Sequence, residues 1–327
     1  MNDTKIASKA KAQLAHFMGK VFTHFSKPSK KFIEECIYGI QASGDTKLSS
    51  IVRAIGDDIR PIYTEKRLSR NLDDETLEAS VAEAVLKDGA RSVRGDTLLL
   101  VDPTVIRKEF SYKMEFVTRV RDASRSSKEG RDVLVNGYHG CMVAACRPGG
   151  RKTVPLALKL WSSRSPGFKG ENDEVLKIVK AVYAATGGKG MFKSQWRVVE
   201  GYLSRWRIEE TIRFVKQSYG FENIRVMTYA RIRNMASLVL ASAYFATVWI
   251  GRNIKREVLA EHLAHLGKRL GEVPEFAAYA IADGIKRAFT RFGKWVRTAA
   301  DAIAKAHDAP TIQLLPGFAE LFDTDDG

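Results

Sequence analysis

The chain has 327 residues, with 45% hydrophobic and 28% charged residues and a formal net charge of +15. That length and hydrophobic content suit one large or two ordinary globular domains and exclude a disordered or fibrous chain. So large a positive charge points to a polyanion as partner, because each neutralised phosphate releases counterions.

Residues 5–90 read as helical. Leu14, Phe17, Met18 and Val21 recur at helical spacing between Ile6 and Phe25. Ser26-Lys27-Pro28-Ser29 interrupts the pattern and Phe32 to Ile40 resumes it. Leu48 to Ile55 and Thr64 to Leu72 are two short helical pieces separated by Gly56-Asp57-Asp58 and Pro61. They are compatible with a helix-turn-helix and equally with an ordinary helical packing unit. Thr76 to Leu86 is a further amphipathic helix.

Strand patterns follow. Thr97 to Val101 is a short apolar run ending at Asp102, with Pro103-Thr104 expected to turn the chain. Lys113 to Val120 is a mixed segment able to pair as a strand, and Arg121 to Asp132 reads as a polar loop. Tyr138 to Cys146 and Thr153 to Trp161 are two more strands around Arg147-Pro148-Gly149-Gly150. Glu171 to Thr186 is a helix, and Met191-Phe192 looks like the first step of a fourth strand.

Val198 to Gln217 predicts one uninterrupted helix, ended near Tyr219-Gly220. Ile208, Ile212, Val215 and Tyr219 form its apolar stripe. Tyr202, Arg205, Glu209 and Lys216 fall within an arc of about 60° beside that stripe. Met235 to Ile250 is uncharged and apolar but falls short of the ~17–25 residues that span a bilayer, so it is expected in the core, with no membrane partner. Glu257 to Leu270 is amphipathic, and Phe276 to Ala306 interleaves Lys and Arg with aromatic residues. That last pattern suits a DNA or partner contact and also a solvated helix face. The tail Asp323 to Gly327 is acidic. Cys36, Cys141 and Cys146 include no C-x-x-C and are odd in number, which suits reduced, buried thiols in a cytoplasmic protein.

The spacing Tyr202-(2)-Arg205-(3)-Glu209-(6)-Lys216 resembles the signature helix of DDE-class insertion-sequence transposases of the IS-four type. The resemblance continues from Tyr219 to Leu240, Y-G-F-E-N-I-R-V-M-T-Y-A-R-I-R-N-M-A-S-L-V-L. It implies a mixed, helix-rich α/β fold: a truncated RNase H-like core with an N-terminal helical domain and a C-terminal helical extension. The expected boundaries are 1–95 for the helical, DNA-end-binding part, 96–256 for the RNase H-like DDE domain and 257–327 for the extension. The resemblance also implies Asp102 and Glu209 as catalytic carboxylates and ligands for Mg²⁺ (or Mn²⁺). Tyr202, Arg205 and Lys216 would hold DNA-end phosphates, with Arg207 and Arg213 as further DNA contacts. The implied function is metal-dependent DNA cleavage and strand transfer, on double-stranded transposon ends, by a homodimer on DNA in the bacterial cytosol at the nucleoid.

The chain departs from that pattern in one place. The family's second catalytic aspartate ends the fourth strand, yet no aspartate stands between Asp173 and Glu209. The chain is shortened near 191–197, and Asp173, Asp122, Asp132 and Asp283 are poor replacements because none is expected to end a strand. The expectation is therefore an impaired transposase, the alternative a non-catalytic DNA-binding remnant that interferes with an intact one.

Overall fold

A computed structural model describes residues 3–148, 152–192, 198–251, 254–255 and 278–291, with 3–5, 191–192, 198–205 and 291 described by backbone only. The fold is mixed α/β and helix-rich. Five helices come first: α1 (Asp3–Val21), α2 (Lys27–Ser43), α3 (Leu48–Ile55), α4 (Pro61–Asn71) and α5 (Leu77–Gly89). Then come β1 (Leu98–Arg107), β2 (Thr118–Arg121), α6 (Ala123–Glu129), β3 (Leu134–Cys146), β4 (Thr153–Trp161), α7 (Glu171–Ala185) and β5 (Met191–Phe192). Helices α8 (Val198–Ser218), α9 (Tyr229–Tyr244), which runs into a π-helical turn (Phe245–Trp249), and α10 (Ala278–Arg291) complete the described part.

The sheet is built on β3. β1 pairs with it antiparallel along its whole length, from Leu98 opposite Cys146 to Arg107 opposite Gly137. β2 and β4 also pair antiparallel with β3, at Leu134–Gly137 and at His139–Cys146 respectively. Gly137 has Arg107 on one side and Thr118 on the other, so β2 and β4 lie end to end along the edge of β3 away from β1. β5 adds two residues parallel to β1, with Leu98 opposite Met191 and Leu99 opposite Phe192. The spatial order is thus β4–β3–β1–β5.

Three expectations are corrected here. The first strand does not stop at Asp102, and Pro103 does not turn the chain; the β3 ladder carries β1 through to Arg107. A proline is tolerated there because the other edge of β1, beyond Leu99, meets no strand among the described residues. Lys113 to Val120 contributes only Thr118 onward to the sheet. Upstream of that the backbone folds into turns, with Ser111 N–H bonding to the Lys108 carbonyl and Val117 N–H to that of Met114. The polar stretch Arg121 to Asp132 is not a loop. Asp122 caps α6 by accepting from the Arg125 N–H at 3.1 Å, and that side chain makes the short helix possible.

The helices before the sheet share one apolar core with the strands and α9, running from Ile6 to Phe289. Helix α5 packs on α9 and β4, and α9 packs on α2 and β4. The Met235–Ile250 stretch is buried at almost every position, and no described helix is long and apolar enough to cross a membrane. Cys36, Cys141 and Cys146 are buried and form no disulfide among the described residues. The segment Glu257 to Leu270, the acidic tail and residues 292–306 lie outside the described residues.

Candidate nucleic-acid interface and carboxylate site

The apolar stripe of α8 does what its spacing predicts. Ile208, Ile212, Val215 and Tyr219 are all buried, and the helix packs on β1, β3 and β4. It ends at Ser218, and Gly220 follows in the left-handed region at φ 55°, where only glycine sits without strain. The side chains of Tyr202 and Arg205 lie outside the described residues. Glu209 is exposed, whereas its neighbour Glu210 is buried and bonded to Arg213. Arg213 is therefore already paired within its own helix. The Nη1 of half-buried Arg207 is buried with no hydrogen-bond partner among the described residues.

Asp102 sits mid-strand, half-buried, opposite Met142. Burial, with the Asp102 charge adding, pushes the Cys141 thiol up to about 12. Lys216 links the strand to the helix. Burial lowers its pKa, Glu222 opposes that most strongly, Arg107 adds to it, and Asp102 and Asp122 oppose it. Glu209 precedes Lys216 by seven residues, close to two turns, so the two share one helix face, and Asp102 acts on the Lys216 end of that face.

The structure also gathers residues that sequence reasoning passed over. Arg107, the last residue of β1, donates Nη1 to Asp122 at 3.0 Å. It grips Glu222 with Nε at 3.1 Å and Nη2 at 2.8 Å. Lys216 Nζ lies 3.8 Å from the same glutamate. Burial opposes ionisation of Asp122, but the Arg125 N–H and the Arg107 guanidinium offset it and hold the carboxyl below its usual range. Lys108, 5% exposed, donates Nζ to the carbonyls of Glu222 at 2.5 Å and Ile224 at 2.7 Å. Burial lowers its pKa to about 8 against the pull of Glu222. A surface cleft of about 910 Å³ borders this cluster, and Phe110 and Tyr112 stand exposed on its wall.

Asp122 directly follows β2 and is 3% exposed, so the expectation that it belongs to a polar loop away from any strand end is wrong. It is not thereby a free ligand, since Arg107 and the helix cap engage it. Asp173 is exposed in the first turn of α7. Among the described residues no group of three or more His, Cys, Asp or Glu is placed to hold a metal ion. Asp102 and Glu209 are hard oxygen donors of the kind Mg²⁺ takes, but two such groups fall short of a two-ion site.

The available signals were faint. Asp122-Ala-Ser-Arg is a helix-cap sequence, and Glu222 lies inside the stretch that carries the resemblance, but nothing local ties either to Arg107. No family model matches the chain, and no curated protein matches it in sequence.

Proposed function

We propose that the chain is a double-stranded-DNA-binding protein of insertion-sequence transposase descent, built on a shortened RNase H-like core, that does not cut the DNA it holds. The observation that carries this reading is the strand order β4–β3–β1–β5. Three antiparallel strands are followed, after a helix, by one parallel to β1, and α8 then packs on β1, the strand bearing Asp102. That arrangement agrees with what the signature spacing implies. The twelve Lys and Arg against four acids between Met191 and Arg256 support an anionic partner. Asp102 and Glu209 would hold one Mg²⁺ or Mn²⁺, which supplies Lewis-acid polarisation of a phosphoryl oxygen. A second ion has no bridging aspartate, because none stands between Asp173 and Glu209 and the carboxylates of Asp122 and Glu222 are taken up by Arg107. The protein on DNA is a homodimer in this reading, in the bacterial cytosol.

The test has two parts. Fluorescence anisotropy with a labelled duplex should show affinity falling steeply with salt, log K changing by about −0.9 per neutralised phosphate on a log-salt axis. Binding absent at low salt removes the reading. The same duplex, carrying the element's ends, should stay uncut in Mg²⁺ or Mn²⁺. Nicking by the natural chain that vanishes in Glu209→Ala would establish a working enzyme instead.

A further inference from the structure

We infer that α4 is the surface through which the chain reads duplex DNA; the inference rests on the DNA-binding reading above. On this 11-residue helix Ile62 and Tyr63 are 50% and 58% exposed. Taking Ile62 as zero, Lys66, Arg70 and Tyr63 fall at about 40°, 80° and 100°. The opposite face carries Thr64 and Leu68, both fully buried. The outward face is therefore a continuous strip of two apolar residues and two cations, with exposed Arg60 at the N-cap.

The cations of that strip are also unpaired. Arg60, Lys66 and Arg70 make no side-chain hydrogen bond or ion pair among the described residues. The remaining arginine of the helix, Arg67, does: it bonds Glu35 at 2.7 Å and lies 3.6 Å from Asp57, fastening α4 to the core. On α8, by contrast, Arg213 is held by Glu210 and Lys216 lies beside Glu222. Other exposed cations, Lys169, Lys180 and Lys189 among them, are unpaired among the described residues as well, but on α4 the unpaired cations share one outward strip with two exposed apolar side chains.

The chemistry of the strip selects its occupant. Three unmatched positive charges suit phosphates, and exposed Ile and Tyr suit base edges such as the thymine methyl. An α-helix fits the major groove of B-form DNA, whereas the deep, narrow groove of A-form RNA excludes it. A membrane-surface helix needs a broad apolar face, and two side chains do not make one. Helix α3 packs on α4 and ends at Gly56, so the two form a short helix pair whose second member projects outward.

The experiment selects binders for the full chain from a random-sequence duplex pool, then measures the selected duplex by anisotropy over a salt series. Circular dichroism checks that each variant is folded. R60A/K66A/R70A should bind about 100-fold or more weakly at 0.1 M salt, with a salt slope shallower by about 2 to 3. I62A/Y63A should keep the slope of the natural chain and select a broader set of sequences. K169A/K180A/K189A removes as much charge from other exposed positions and should change affinity by less than about threefold, since those lysines contact no phosphate in this reading. If the first triple variant binds like the natural chain, or the control loses as much, α4 is not the reading surface. Loss of binding to anionic phosphatidylserine vesicles instead of duplex DNA would overturn it too. A natural chain that binds no duplex at low salt would instead sink the DNA-binding reading itself.

Discussion

At the scale of single residues, Lys108 shows how the end of β1 is tied to the segment after α8. Its ammonium is nearly inaccessible and donates to two backbone carbonyls, those of Glu222 and Ile224. Burial brings its pKa from 10.5 to about 8 in the folded chain. Above about pH 10.5 both folded and unfolded chains hold the amine neutral. As pH falls from there to about 8, the unfolded chain takes up a proton that the folded chain refuses, so stability declines. Below about pH 8 both are charged and the deficit is constant. The natural chain should therefore gain stability between about pH 8 and 10.5 relative to Lys108→Met, by at most about 3 kcal/mol. Urea unfolding of both chains across that range checks it, and a difference that is flat with pH would rule out a buried, proton-refusing amine. Arg107 beside it is a different device. The carboxylates of Glu222 and Asp122 hold its pKa up, the Glu222 hydrogen bond foremost, so it stays charged throughout this range.

At the scale of elements, glycines test how closely the helices approach. Gly19 lies on the exposed side of α1, where a methyl group would meet nothing within 4 Å. Gly39 lies inside α2 against α3; a Cβ there would overlap the Ile51 γ2 methyl and stand 3.1 Å from Ile51 Cα. Alanine is worth up to about 1 kcal/mol over glycine within a helix. Gly19→Ala should thus stabilise by about 0.5–1 kcal/mol. In Gly39→Ala an overpacking cost of about 1–3 kcal/mol outweighs the same gain, so that variant should melt lower, and equal shifts in the two would refute the close α2–α3 contact. Elements whose signals are local were legible. Helix α3 and strand β4 have the bounds the sequence suggests, because each is a short apolar run between polar or glycine-rich segments. The buried stripe of α8 was legible from its helical spacing and Met191-Phe192 as a strand from the resemblance, whereas the parallel pairing of β5 with β1 is seen only in the fold. Strand β1 was misjudged at Pro103 because only its pairing with β3 tells that the strand continues. The Arg107–Asp122–Glu222 cluster was invisible, since its members are 15 and 115 residues apart and meet only through the sheet. Asn234 is a further case. It donates to the carbonyls of Leu72 and Asp74 and accepts from the Glu78 N–H, so part of the motif after α8 serves to hold α9 against the α4–α5 loop.

At the scale of the whole molecule, the question is whether the N-terminal helices and the sheet unfold together. The division at residue 95 falls between α5 and β1, yet α5 lies on β4 and α9, and α9 lies on α2. Their side chains belong to one apolar cluster, and clusters that share a core open together. Three thiols report on this from both sides of the division. Cys36 is on α2, while Cys141 and Cys146 are on β3, and all are at most 3% exposed. Only a thiolate reacts readily; burial drives the thiol pKa values of Cys36 and Cys141 up, that of Cys141 to about 12, and Cys146 is itself buried, so the folded chain should be inert. Labelling with an aromatic disulfide then needs opening of the structure. Measured by mass spectrometry over a urea series, the opening free energies at Cys36, Cys141 and Cys146 should coincide within about 0.5 kcal/mol and equal that of global unfolding. Labelling of Cys36 well before the β3 thiols would separate the helices from the sheet. It would also mean that the packing of α5 and α2 on α9 contributes little to holding the two together.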